Sequence, residues 1–163
     1  MNRLPFELTV PRDVYEAIGH MLCQWAHFEQ SVNESLFELS GAVTDYARFR
    51  IGQQQFKTRL GTWQELVAPH IKQRLTRGYL TKFYIKGAKL KDDRDAIVHF
   101  HLGVDDEGQL IRIRYKHAQF KELRDIDARS VQRIASRISI INYRLRFLQQ
   151  LTSSNRHKHD VDT

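Results

Sequence analysis

The chain has 163 residues, 41% of them hydrophobic and 28% charged, with a formal charge of +7 at neutral pH and a pI near 9.7. That length suits one domain with one core, and the single cysteine, Cys23, excludes an intrachain disulfide framework and a cysteine-based zinc site. The basic balance suits a polyanionic partner as well as it suits a merely solvated surface, while the lack of a signal-peptide pattern or of an apolar run of about 18 residues predicts a cytoplasmic protein without membrane contact.

Pro11 is placed to open a first helix, with Asp13 and Glu16 at its positive end. Val14, Ile18, Met21, Leu22, Trp25, Phe28, Val32, Leu36 and Leu39 then recur at helical steps, and Gly41 is a natural stop. Residues 42–50 carry no clear period. Ile51, Phe56, Leu60, Trp63 and Leu66/Val67 predict a second helix ending at Pro69. A third, lysine-rich helix runs from Tyr79 to Val98, with Gly87 as a weak point in its middle.

The period then changes. Leu102-Gly103-Val104 and Leu110 to Tyr115 flank the turn Asp105-Asp106-Glu107-Gly108, which predicts a short β-hairpin leaning on the helices. Asp127 caps the last helix, where Val131, Ile134, Ile138, Ile141, Leu145, Leu148 and Leu151 form one stripe. The polar residues from Thr152 onward read as a tail. The expectation is an all-α fold: a bundle of about four main helices with a short β-hairpin before the last, one domain over 1–151 and a disordered tail over 152–163.

The stretch Arg94-Asp95-Ala96-Ile97-Val98-His99 carries the most chemistry. Arginine offers permanently charged donors to phosphate oxygens, and histidine moves protons near neutral pH. On an ideal helix Arg94 and His99 lie about 140° apart, so convergence on one phosphate requires the helix to end or a second motif to complete the site. Asp95, one turn before His99, is placed to orient the imidazole. The stretch resembles the HEPN superfamily, helical domains whose ribonuclease members carry an arginine, often followed by Asn, Asp or His, and then a histidine four to six residues on. The likeness covers residues 94–99 as motif and roughly 11–151 as layout.

The resemblance implies a metal-independent endoribonuclease with no cofactor, whose site forms where two copies bring their motifs together. Arg94 would hold the scissile phosphate, His99 would transfer protons and Asp95 would orient the ring. The resemblance also implies RNA as substrate, a homodimer, and an antitoxin or regulatory protein as partner, as in toxin–antitoxin, antiphage or stress systems. His101 lies within the permitted spacing as well, although His99 fits the motif better. Arg112 and His117 repeat the spacing but fall in the hairpin and its exit.

Glu29, beside the apolar stripe of the first helix, is a supporting candidate to pair with Arg94, or an ordinary surface glutamate. Trp25 and Phe28 read as core. Lys86, Lys89 and Lys91 are candidates to guide an RNA backbone, together with Arg129, Arg133, Arg137 and Arg144, or they simply keep the protein solvated. No metal site is expected: His99-Phe100-His101 and His157-Lys158-His159 have no carboxylate or cysteine completing a ligand set. A catalytically silent helical dimer that binds a protein, nucleotide or nucleic acid is the alternative, followed by a basic nucleic-acid-binding module.

Overall fold

The computed structural model describes the backbone of residues 10–71, 74–99, 101–104, 110–116, 119–123 and 127–160, and the side chains of 10–71, 77–99 and 127–150. Helices dominate: α1 (Arg12–Ser40), α2 (Asp45–Gly52), α3 (Phe56–Val67), α4 (Arg74–Val98) and α5 (Ala128–Asp160). Four of the five are long, and the fold is a helical bundle with a small sheet between α4 and α5. Among the described residues no helix is long and apolar enough to cross a membrane.

Local chemistry explains most of the boundaries. Pro11 sits at the α1 N-cap, and its carbonyl accepts from the N–H groups of Val14 at 3.1 Å and Tyr15 at 3.2 Å. Gly41 closes the helix with φ 65°, a left-handed conformation that a glycine adopts without a Cβ penalty. At α5, Asp127 accepts the Ser130 N–H at 2.6 Å, and the Ser130 hydroxyl in turn accepts the Asp127 N–H at 3.2 Å. The backbone bond from Ser130, with its side chain second, holds the Asp127 carboxyl below its ordinary range.

Two helical expectations need correction. The helix expected from Ile51 to Val67 is two helices separated by Gln53–Gln55. A five-residue step from Ile51 to Phe56 turns about 140°, so one straight helix cannot keep both on the core face. After the break, Phe56, Leu60, Trp63 and Val67 are all buried, and Pro69 falls in a short 3-10 turn, Ala68–His70. The expected disordered tail also changes: α5 continues to Asp160, with 161–163 outside the described residues. Residues 152–160 contain neither Gly nor Pro, so loss of the apolar stripe does not by itself stop the backbone.

In place of a two-stranded hairpin, the backbone forms a three-stranded antiparallel sheet of β1 (His101–Val104), β2 (Leu110–Lys116) and β3 (Gln119–Leu123). His101 is opposite Ile113, and β3 covers the other edge of β2 with Phe120 opposite Tyr115. A third strand pairs an edge that a lone hairpin would leave open. The expected turn, 105–108, lies outside the described residues.

Among the long helices, α4 opposes α1, α3 and α5. Trp25 meets Phe56 at 4.7 Å and Ser35 accepts from the Trp63 indole at 2.9 Å, so α1 and α3 run the same way. Trp63 meets Phe83 at 5.1 Å while Lys57 pairs with Asp92 at 2.9 Å, so α4 runs back. Arg137 on α5 reaches Asp93, whereas Arg144 lines a groove with Lys86, so α5 opposes α4.

The core reaches its closest packing at the waist. Gly87 is the point where α4 approaches the other long helices: a Cβ there would lie 2.7 Å from Leu60 Cδ2, 3.5 Å from Phe28 Cζ and 3.6 Å from Ile141 Cδ1. The glycine therefore trades helix propensity for close approach. Phe28 also packs edge-on against Trp25, Phe56 and Phe83, an arrangement favoured by the ring quadrupoles.

Candidate functional site

The last two turns of α4 carry the motif, and each residue there points to something different. Asp92 accepts from Lys57 on α3 at 2.9 Å. Asp93 accepts from Arg137 on α5 at 3.1 Å. The Arg94 guanidinium lies over the Trp25 ring on α1, 4.7 Å from its centroid. Three consecutive residues thus reach three different helices, because 100° steps fan them around the α4 axis.

Arg94 is correspondingly enclosed, with 18% of its side chain exposed. Its Nη1 lies 2.9 Å from Asp95 Oδ1, yet Arg94 Nε and Asp95 Oδ1 are both buried without a hydrogen-bond partner among the described residues. The close approach is a charge contact rather than an aligned hydrogen bond, since unfavourable angles weaken hydrogen bonding steeply. It leaves an arginine donor in a shielded position with its hydrogen bond unmade, which is uncommon for a buried polar atom.

Asp95 is the hub of this cluster. Its Oδ2 lies 2.6 Å from Lys91 Nζ, and its Oδ1 faces both Arg94 and, at 4.0 Å, His99 Nε2. The His99 ring is 69% exposed, and its backbone N–H donates to Asp95 O at 2.9 Å in the final turn. The motif therefore has an enclosed cation, an exposed imidazole and one carboxylate near both. His101 lies in β1, and its side chain, like that of Arg112, is outside the described residues, as is His117 altogether.

Glu29 does not pair with Arg94. Its Oε1 forms an ion pair with Arg59 on α3, and its Oε2 accepts the Trp25 indole N–H at 3.1 Å. Arg59, 5% exposed, also donates to Asn33 and lies over the Phe56 ring. Trp25 joins the two charged groups: one edge binds Glu29, and its face carries Arg94. Sequence inspection passed over Arg59, although an arginine three residues after Phe56 and one before Leu60 stands on an otherwise apolar face.

The lysine candidates do not form one surface. Lys91 is engaged by Asp95, while Lys86 lines a groove of about 340 Å³ between α4 and α5 with Arg137 and Arg144. Lys89 is exposed on α4. Arg137 is held by Asp93, and Arg144 lies over Tyr79 at 5.9 Å. Among the described residues, no group of three or more His, Cys, Asp or Glu side chains is placed to hold a metal ion.

None of the family models, curated proteins or solved structures compared with this chain matches it.

Proposed function

We propose that this protein is a metal-independent, HEPN-like endoribonuclease acting in the cytoplasm as a homodimer, with the ends of two α4 helices forming one site. The observation that carries this proposal is Asp95, which faces Arg94 and His99 at once. Arg94 keeps 18% of its side chain exposed, one turn from the exposed His99 ring, which leaves part of its guanidinium within reach of an anion. Arg94 holds the phosphate and stabilises the charge that develops on it. An imidazole takes the proton of the ribose 2′-hydroxyl as its oxygen attacks the adjacent phosphorus. The bond to the 5′-oxygen breaks, and an imidazolium from the second motif returns a proton to that leaving oxygen. The products are a 2′,3′-cyclic phosphate and a 5′-hydroxyl.

The second motif is needed because Arg94 is enclosed against α1 while His99 is exposed, about 140° away around the helix. Lys86 and Lys89 provide positive charge along α4 for an RNA backbone. A protein of this activity requires restraint in its cell, so an antitoxin or regulatory protein is part of the proposal.

One observation favours a catalytically silent dimer instead: the stacking of Arg94 on Trp25 already gives that arginine a structural task. Incubating wild type, Arg94→Ala and His99→Ala with mixed RNA in excess EDTA separates the two. Cyclic-phosphate ends from wild type alone, with His99→Ala melting like wild type, are expected of the ribonuclease. Absence of cleavage by folded wild type, or cleavage that survives both substitutions, overturns it in favour of the silent dimer.

A further inference from the structure

The outer face of α5 is apolar where a solvated helix should be polar. Ile140, Tyr143 and Phe147 are 52%, 76% and 51% exposed, and they follow one another at helical spacing. On a helical wheel they lie about 180° from the centre of the buried stripe containing Ile138 and Leu145. α5 therefore has a core face and a second, opposite apolar ridge. Contiguous exposed apolar surface bordered by polar groups marks an interaction site far more often than isolated apolar residues do.

Grooves border the ridge on both sides. The groove towards α4 has Leu90 and Ile141 with Lys86, Arg137 and Arg144. The groove towards α1, about 290 Å³, includes His27, Asn142 and Arg146, and Tyr143 lines it from the ridge. Between Ala128 and Gln150, α5 contains five arginines and no carboxylate. The ridge is thus apolar along its crest, with Lys86 and Arg144 on its α4 margin beside the Asp93-paired Arg137, and Arg146 on its α1 margin.

The geometry points to an acidic amphipathic helix of another protein as the occupant, with its apolar stripe on Ile140, Tyr143 and Phe147 and its flanking carboxylates against the bordering cations. Charge complementarity decides between the alternatives. A second copy would bring arginine-bearing margins of the same sign together. An RNA backbone suits the cations, but its phosphates gain nothing from covering Ile140 and the aliphatic floor beside it. A helix with leucines and flanking glutamates satisfies both. This inference uses none of the proposed catalytic residues, and it shares only Lys86 with the proposed path of the RNA backbone.

The test uses a synthetic helical peptide with leucines at i, i+3, i+4 and i+7 and glutamates on the flanks, beside a twin with lysines for the glutamates. Binding to the full chain is read by fluorescence anisotropy, with an oligouridylate as a third probe. The acidic peptide is expected to bind at least ~10-fold more tightly than its lysine twin. Tyr143→Ser and Phe147→Ser are each expected to weaken it about 10-fold, with an unchanged melting point because both side chains are exposed. Failure of the acidic peptide to bind, or equal binding of both peptides, overturns the inference. So does oligouridylate binding that Tyr143→Ser weakens while peptide binding stays the same, which assigns the ridge to RNA. A wild-type dimer that Tyr143→Ser dissociates, in the absence of acidic-peptide binding, assigns it to a second copy.

Discussion

The waist of the bundle and the end of α4 join the same helices by opposite means. At Gly87, α4 meets Leu60, Phe28 and Ile141 through apolar contact close enough to leave no room for a Cβ. Two turns later, Asp92, Asp93 and Arg94 reach α3, α5 and α1 through charge and a cation–π contact. The apolar waist supplies stability because burial is favourable without directional partners. Exposed ion pairs contribute at most about 1 kcal/mol each. The charged end is therefore a poor place to gain stability and a suitable one to hold reactive groups, which is why the motif's chemistry and its structural ties must be separated by experiment.

Phe28→Ala should give the largest loss of stability, about 3–5 kcal/mol by urea unfolding, because it is fully buried and rings on α1, α3 and α4 pack against it. Loss of Glu29 comes next. Glu29→Ala leaves the buried Arg59 charge without its carboxylate, and a cost near 3 kcal/mol is expected, at the low end for a buried pair because Glu29 keeps 31% of its side chain exposed. Gly87→Ala should cost about 1–3 kcal/mol through crowding of Leu60, even though alanine favours the helix. A stabilising Gly87→Ala would break the contrast at its waist.

How much of this was legible depended on whether a residue's neighbours lie along the chain or across it. The span of α1 and the start of α5 are marked by apolar stripes and by Pro11, Gly41 and Asp127, whose effects are local, whereas the stripe stops at Leu151 and α5 continues to Asp160. α2 buries none of its residues, so no stripe announced it. Gln119–Leu123 has no strong β-branched alternation, and its strand depends on the edge offered by β2. The motif residues could be named from their spacing. Neither a pairing of Glu29 with Arg94 nor an ordinary surface position describes its ion pair with Arg59, because helical periodicity gives the face of a residue and not the helix that will cover it. Arg59 was detectable only as a charge in phase with Phe56, Leu60 and Trp63.

Smaller effects sharpen the other side of the comparison. Asp92→Asn and Asp93→Asn should each change stability by less than about 1 kcal/mol, and the change should shrink in high salt; a larger effect would make the charged end a structural lock. At the start of α5, the lowered pKa of Asp127 means that its contribution is complete above the ordinary aspartate value of 3.8 and is lost as pH falls through the folded pKa. Asp127→Ala should thus melt earlier than wild type at neutral pH, with the difference closing in acid.

The most direct measurement compares cleavage with melting for His99→Ala in EDTA. The His99 side chain is 69% exposed, so removing it opens little buried surface. The account predicts an unchanged melting point and a fall in cyclic-phosphate formation of at least ~100-fold, the lower range for removing a general acid–base group. Equal cleavage by wild type and His99→Ala would contradict it and leave the end of α4 as a tie between helices.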